Sequence, residues 1–442
     1  MPLTTSYARW MPVGIATVLH LLVDGLCVCC LYLIVKAGGM EHLLAIFLTY
    51  NILAFMTQPL TGWWVDGMRH KQLALLMATC LLTIAAAVLI AMQWWGNSPA
   101  VTMAIAVLLG MGNSLFHVWG GKTTVLVAGN DMRALGIFVS SGVMGLTVGV
   151  LYSSWWLLAA MLLLITLLTT ITLRLPVIPN TINSEENAAL PSYNPSRMTP
   201  YAALGILGIL SFVMLRSFIG EEISIGMEKP AEILLLLATV SMIGKACGGW
   251  LARACGIDKG LIVCVGITAA CMIVRGADSP TLPSVVIGIF AINCTMPMTL
   301  YLANMLLPNR EGLAFGLLAA VLIPGYLLAK NIDITLAHHF MLSALLLTIA
   351  VESGMLLLMG EKSKKVLAGC VVINILTNVP LNYILLTYGI STGALIIGEA
   401  VVLVIEALWY FAFVRQCRKA VIYSVLCNAT SFLTGMLIQI IF

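Results

Sequence analysis

TGWWVDGMRHKQ, residues 61–72, joins two long apolar runs at 42–63 and 72–94. Gly62, Asp66 and the basic cluster Arg69, His70 and Lys71 occupy a loop too short to be a domain. Each flanking run is long enough to cross about 30 Å of hydrocarbon as a helix. Strands of a barrel would alternate polar and apolar residues, and these runs do not.

Working outward, the same pattern fills the chain. Of its 442 residues 61% are hydrophobic and only 9% charged. A water-soluble surface needs roughly 25% charged residues. Spans are predicted at 11–35, 42–63, 72–94, 99–119, 133–152, 154–174, 201–220, 231–251, 259–275, 281–306, 312–329, 340–360, 365–387, 391–414 and 419–441. The fold class expected is therefore an all-α integral membrane protein of about 15 transmembrane helices. The first span is too long for a cleaved signal peptide, and no cleavage-site pattern follows it.

With the N-terminus inside, sixteen of the 22 Lys and Arg residues fall on the inner side and five on the outer. Lys245 lies within a span. This bias sets orientation, so the net charge of +4 reports topology and no nucleic-acid partner is expected. The twelve cysteines lie mostly in spans and read as small apolar side chains. Cys27, Cys29 and Cys30 are too close on one helix to pair or to build a tetrahedral site. No His or Cys spacing points to zinc, and no metal or cofactor is expected.

Residues 175–200, rich in Pro, Asn and Ser, read as a cytoplasmic linker. They divide a six-helix half, 1–174, from the remainder. The halves echo each other at an offset of 180 residues. Asn113 meets Asn293, Leu126 meets Leu306, Ala134 meets Ala314, Gly136 meets Gly316, and Gly145 meets Gly325. GWW at 62–64 similarly meets GGW at 248–250. A duplicated six-span unit is a transporter signature. The echo ends near 339. Residues 340–442 form an added module, whose first helix can also serve as helix twelve of the second bundle.

These motifs resemble the major facilitator superfamily, whose signature loop has a glycine, three residues, an Asp and then basic residues. Gly62, Asp66 and Lys71 match; Gly67 and Arg69 depart from it. HLLVD at 20–24, QPLTGWWVD at 58–66, GMGNSLFHVWGG at 110–121 and GIFVSSGVMGLTVG at 136–149 are most similar to the fosmidomycin-resistance branch. The resemblance covers about residues 10–330. It implies a two-bundle fold and secondary transport, and it leaves the substrate open.

His20 and Asp24 are one turn apart and share a face of the first span. An acid at mid-membrane costs roughly 2.5–3.5 kcal/mol on insertion scales. Either a water-filled cavity offsets that cost and the pair exchanges protons, or a His–Asp hydrogen bond locks helix packing. Asn113 and His117 form a second polar face, which either completes a cavity with Asp24 or caps the helix near Gly120. Lys245 either snorkels to the cytoplasm or lines the cavity. Asp66 either caps the next helix, pairs with a basic group on a neighbour as a latch, or is an incidental acid in a positive-inside loop. Arg216, Glu221 and Glu222, near the outer end of the seventh span, read either as solvated or as a charged vestibule. Gly145 and Gly149 form a close-packing seam.

GGKTT at 120–124 is no phosphate loop, because Phe116 stands where the first glycine belongs. No dinucleotide fingerprint or serine-hydrolase elbow is present, and no catalytic residues are assigned. In the added module Asn374, Asn378 and Asn382 share one helix face, Glu399 and Glu406 another, with Glu352 and Asn428 on the remaining helices. They read either as a site for a hard cation or protons or as interhelical glue.

The reading is a monomeric, multi-pass secondary transporter of the bacterial cytoplasmic membrane, exporting a small organic molecule with protons. Asp24 carries the proton beside His20 and His117. Uptake is a close variant. A transporter-like scaffold for an intramembrane enzyme or ion sensor is the rival.

Overall fold

The computed structural model describes residues 3–36, 43–96, 98–175, 200–275, 280–331, 348–349, 351–361, 363–388 and 392–441. The expected linker lies almost wholly outside the described residues. Two compact units are present, Met1–Ala329 and Lys330–Phe442.

The first unit is all helix among the described residues. It comprises α1 (Leu3–Lys36), α2 (Leu43–Asn51), α3 (Gln58–Gly67), α4 (Gln72–Trp95), α5 (Pro99–Ala128), α6 (Met132–Ser140), α7 (Gly142–Leu151) and α8 (Trp155–Arg174). It continues with α9 (Pro200–Glu222), α10 (Ala231–Cys255), α11 (Ile257–Arg275), α12 (Leu282–Cys294), α13 (Met296–Leu306), α14 (Glu311–Ala320) and α15 (Leu322–Asn331). Among the described residues, nine helices are long and apolar enough to cross a membrane. Trp156 (88% exposed) and Ile273 (81%) show what such helices turn outward, a surface that suits lipid and not water.

Several expected spans are broken, each for a local reason. Pro59 has no N–H to give the Phe55 carbonyl, and the chain widens into a π turn at Ile52–Met56. The run 42–63 is thus two short helices, and only Ala45–Met56 stands out as an apolar stretch. Pro297 and Pro324 likewise follow the breaks at Thr295 and Val321. The α6–α7 break falls at Ser140, Ser141 and Gly142, a Ser/Gly cluster. It sits 180 residues before the break at Val321, so the repeat extends to the helix breaks.

The repeat also governs packing. Bare Cα atoms let two helix pairs touch backbone to backbone. Gly145 lies on the Leu21 carbonyl of α1, and Gly325 lies on the Met214 carbonyl of α9. Ser141 Oγ donates to the Thr17 carbonyl, and Ser217 Oγ to the Leu322 carbonyl. α3 packs against α14, and α10 against α6. An apolar core running through α1, α4 and α5 holds the first half, with Leu19, Leu26, Leu82 and Ile105 fully enclosed.

The second unit contains residues 351–358 (α16), Lys364–Tyr388 (α17), Thr392–Val414 (α18) and Cys417–Ile441 (α19). Its core joins Leu356, Ile373, Tyr410 and Tyr423.

Candidate functional site

α1 and α5 bring together residues 97 positions apart. His20 Nε2 lies 2.9 Å from His117 Nε2. Asp24 Oδ2 is 3.3 Å from His20 Nε2, and Asp24 Oδ1 is 3.5 Å from His117 Nε2. Asn113 Nδ2 donates to Asp24 Oδ1 at 3.0 Å. His20, Asp24 and Asn113 are buried. Of the two expectations for His117, the structure has it facing Asp24.

The ring nitrogens count protons. His20 Nδ1 donates to the Phe138 carbonyl at 2.8 Å, and His117 Nδ1 to the Asn113 carbonyl at 3.0 Å. Carbonyl oxygens only accept, so both Nδ1 atoms carry hydrogen. Two bare Nε2 lone pairs would then repel at 2.9 Å. The contact is a hydrogen bond only when one Nε2 is protonated too. Asp24 balances the resulting charge. The Phe138 carbonyl is free for His20 because α6 ends at Ser140, leaving its last carbonyls without helical partners.

Gly142, the first residue after the break, leaves the room. A Cβ there would stand 2.5 Å from both Asp24 Oδ2 and His20 Nε2. The ligating atoms of His20, Asp24 and His117 lie within 4.8 Å of one another, close enough for a metal ion. Yet metal–nitrogen bonds of about 2.0–2.1 Å in a tetrahedron separate ligands by roughly 3.3 Å, wider than the 2.9 Å between the imidazoles. A proton fits that gap better. Lys245, on α10, lies within electrostatic reach of Asp24 and His117, and its charge further disfavours a divalent ion.

A second constellation lies at the end of α3. Asp66 Oδ1 accepts from Lys122 Nζ at 2.6 Å and from the Gly312 N–H at 2.9 Å. Asp66 Oδ2 accepts from the Leu313 N–H at 2.9 Å. Asp66 therefore caps a helix, but the one it caps is α14, in the other half. Glu311 stands 3.9 Å from Lys122. Gly62 and Gly316 allow the approach: a Cβ on Gly62 would overlap the Gly312 carbonyl, and one on Gly316 the Gln58 carbonyl. Arg69 is exposed and gives Asp66 no contact. Lys71 lies within electrostatic reach of Asp66, Glu311 and Lys122, and its partial burial lowers its pKa. The predicted span 99–119 continues to Ala128 as α5, so Lys122 is a buried helical residue and not a loop residue.

The corresponding contact in the repeat is weaker. Asp131 caps α6 by accepting from the Arg133 N–H, and Arg253 of α10 reaches within 4.0 Å. Partial burial pushes the Asp131 carboxyl up, but the Arg133 hydrogen bonds outweigh it and hold it below the ordinary value.

Arg216 and Glu222 correct the expectation of solvated charges: both are buried, at 7% and 3% exposure. Position near a helix end suggested water, whereas residues of α11 and α12 stand across a small cavity from Arg216. Arg216 lines a cavity of about 80 Å³ with Phe212, Ile219, Thr268 and Met272.

In the second unit, Asn374 Nδ2 donates to Glu352 Oε2 at 2.7 Å, and Asn428 Nδ2 donates to Glu406 Oε2. Both pairs are 22 residues apart, so the unit repeats a helical hairpin. Asn378 donates to Asn374 Oδ1 at 3.2 Å, and Thr377 to Glu406 Oε1 at 3.1 Å. Glu399 is half-buried, within electrostatic reach of Glu352 and Glu406. The Asn382 side chain lies outside the described residues.

Sequence reasoning missed Lys122, Glu311 and Gly312. The available signal was a lysine held inside an apolar run, which needs an acid nearby.

No family model matches the chain. No curated protein matches it either. Among solved structures, it is similar to the Major Facilitator Superfamily (MFS) transporter FucP in the outward conformation, with a TM-score of 0.55, 12% identity, and 73% of this chain and 91% of that one covered. A second structure, the E. coli fucose:proton symporter FucP, gives a TM-score of 0.53 at 11% identity, covering 87% of this chain and 100% of that one. The chain therefore has the two-bundle fold of major facilitator transporters, and it is a multi-pass membrane protein.

Proposed function

We propose that the chain is a proton-coupled secondary active transporter, exporting a small organic molecule across the bacterial cytoplasmic membrane by alternating access. The observation that carries this reading is the 2.9 Å contact between His20 Nε2 and His117 Nε2 with both Nδ1 atoms already donating. That geometry asks for one exchangeable proton, buried beside Asp24. Losing it would leave two facing lone pairs, so α1 and α5 must shift when the proton leaves. A proton is thereby tied to helix movement, which coupling requires.

The Asp66 cluster serves as the cytoplasmic gate. Its bonds to the Gly312 and Leu313 N–H groups cross from one half to the other and close the end of the bundle carrying the basic loop. The halves rock apart only when this cap and the Lys122 ion pair break together.

Uptake by symport is the second reading. The observation in its favour is the fold shared with the fucose:proton symporter. The test is resistance in bacteria lacking their own exporters, challenged with a broad set of toxic small molecules. Export predicts protection by the intact chain that disappears in Asp24→Asn at equal membrane levels. Sensitisation by the intact chain would support uptake instead. Protection that survives Asp24→Asn would remove Asp24 from coupling.

A further inference from the structure

Arg216 is 7% exposed, on the predominantly apolar helix α9. Its Nη1 is fully enclosed without a hydrogen-bond partner, and the side chain makes no ion pair with any described acid. A lone guanidinium at such a place is costly, and residues of this kind mark ligand paths. The cavity of about 80 Å³ beside it is otherwise apolar, bounded by Phe212, Ile219 and Met272, with Thr268 the one other polar side chain. That volume exceeds several waters and falls well short of a drug-sized pocket. Lys245, half-buried on α10 and also without a hydrogen-bond partner among the described residues, lies within electrostatic reach of Arg216. Asp24, the acid nearest to Lys245 in electrostatic terms, is already held by His20, His117 and Asn113.

We propose that Arg216, supported by Lys245, is the anion-binding end of the cargo site, and that the cargo is a small organic carboxylate with a short apolar body. This inference rests on the transport reading and names its substrate class. A guanidinium offers a carboxylate two parallel N–H donors, which an ammonium does not. The apolar wall takes the carbon chain. The two halves are then complementary, one holding the proton at His20, Asp24 and His117, the other holding the anion.

The test uses the full chain in lipid nanodiscs, with hexanoate as the probe, hexanamide as its neutral counterpart and chloride as a simple anion. Thermal stabilisation reports binding, because a ligand held only by the folded state raises Tm with concentration. Hexanoate is expected to raise Tm, while hexanamide and chloride at equal concentration do not. Arg216→Lys should weaken the response at least tenfold, and Arg216→Met should remove it. A second readout is independent of ligand. Removing an unpaired buried charge should raise the Tm of ligand-free Arg216→Met, whereas a structural role would lower it. A hexanoate response that is equal in Arg216→Met, matched by hexanamide or chloride, or absent from the intact chain overturns the proposal. The transport reading fails separately: hexanoate bound through Arg216, but never moved across proteoliposomes under a pH gradient, would keep the anion site and discard transport. Proton-driven movement of a neutral compound, unchanged in Arg216→Met, would do the reverse.

Discussion

Gly62 of α3 and Gly312 of α14 touch backbone to backbone, so closely that a methyl group on Gly62 would overlap the Gly312 carbonyl. Backbone cannot yield as a flexible side chain does. Gly62→Ala is therefore expected to force α3 and α14 apart and to weaken the Asp66 cap. A cysteine placed at Leu313 should react with a water-soluble thiol reagent several-fold faster in Gly62→Ala than in a Gly62 background. Equal rates would show that the seam does not hold that end closed.

Asp66 makes two kinds of bond, and substitutions separate them. Asp66→Asn keeps one acceptor for the α14 N–H groups and loses the ion pair with Lys122. Asp66→Ala loses both. Capping bonds of this type contribute about 0.5–2 kcal/mol, and breaking a buried pair by removing one partner costs more, about 3–5 kcal/mol. Removing the acid leaves Lys122 with Glu311 at 3.9 Å. The order of Tm should be intact, then Asp66→Asn, then Asp66→Ala, and adding Lys122→Met to Asp66→Asn should recover part of the loss. A double variant no more stable than the single one would contradict the pairing.

Asp131 predicts an acid limb in stability. Its pKa in the folded chain is held below the ordinary carboxylate value, the Arg133 hydrogen bonds outweighing partial burial. The ionised form thus favours folding. That contribution is complete above the unfolded value near pH 4 and fades as pH falls through the lowered folded value. Asp131→Asn should flatten the fall in Tm below about pH 4; it keeps a capping side chain and loses the part-exposed ion pair with Arg133, a cost under about 1 kcal/mol at pH 7. An unchanged acid limb would place the sensitivity elsewhere.

Gly142→Ala tests the room at the proton site. The added methyl would stand 2.5 Å from Asp24 Oδ2 and His20 Nε2. Transport should fall by at least tenfold while the chain still reaches the membrane, and Gly142→Ser should behave no better. Full activity in Gly142→Ala would mean the trio is wider open than its distances indicate.

The helices were legible because period and length suffice for spans in lipid. The breaks were partly legible, since Pro59, Pro297 and Pro324 announce missing N–H groups, while the Ser141 break is marked only by a weaker Ser/Gly cluster. His20 and Asp24 were readable as one face of one helix. Their contact with His117 needed α1 and α5 side by side, which spacing along the chain does not encode. Asp66 was readable as a cap, but the helix it caps begins 245 residues later at Glu311. Arg216 was misread because its place near the end of α9 suggested water, whereas it is buried beside a small cavity that residues of α11 and α12 also line.

The most direct test of proton coupling is collapse of a pH gradient in everted membrane vesicles when a protected compound is added. The intact chain should dissipate the gradient as cargo moves, while Asp24→Asn and His117→Ala, present at the same level, should leave it standing. Dissipation by Asp24→Asn equal to that of the intact chain would contradict the account, because the buried proton between His20 and His117 would then play no part in transport.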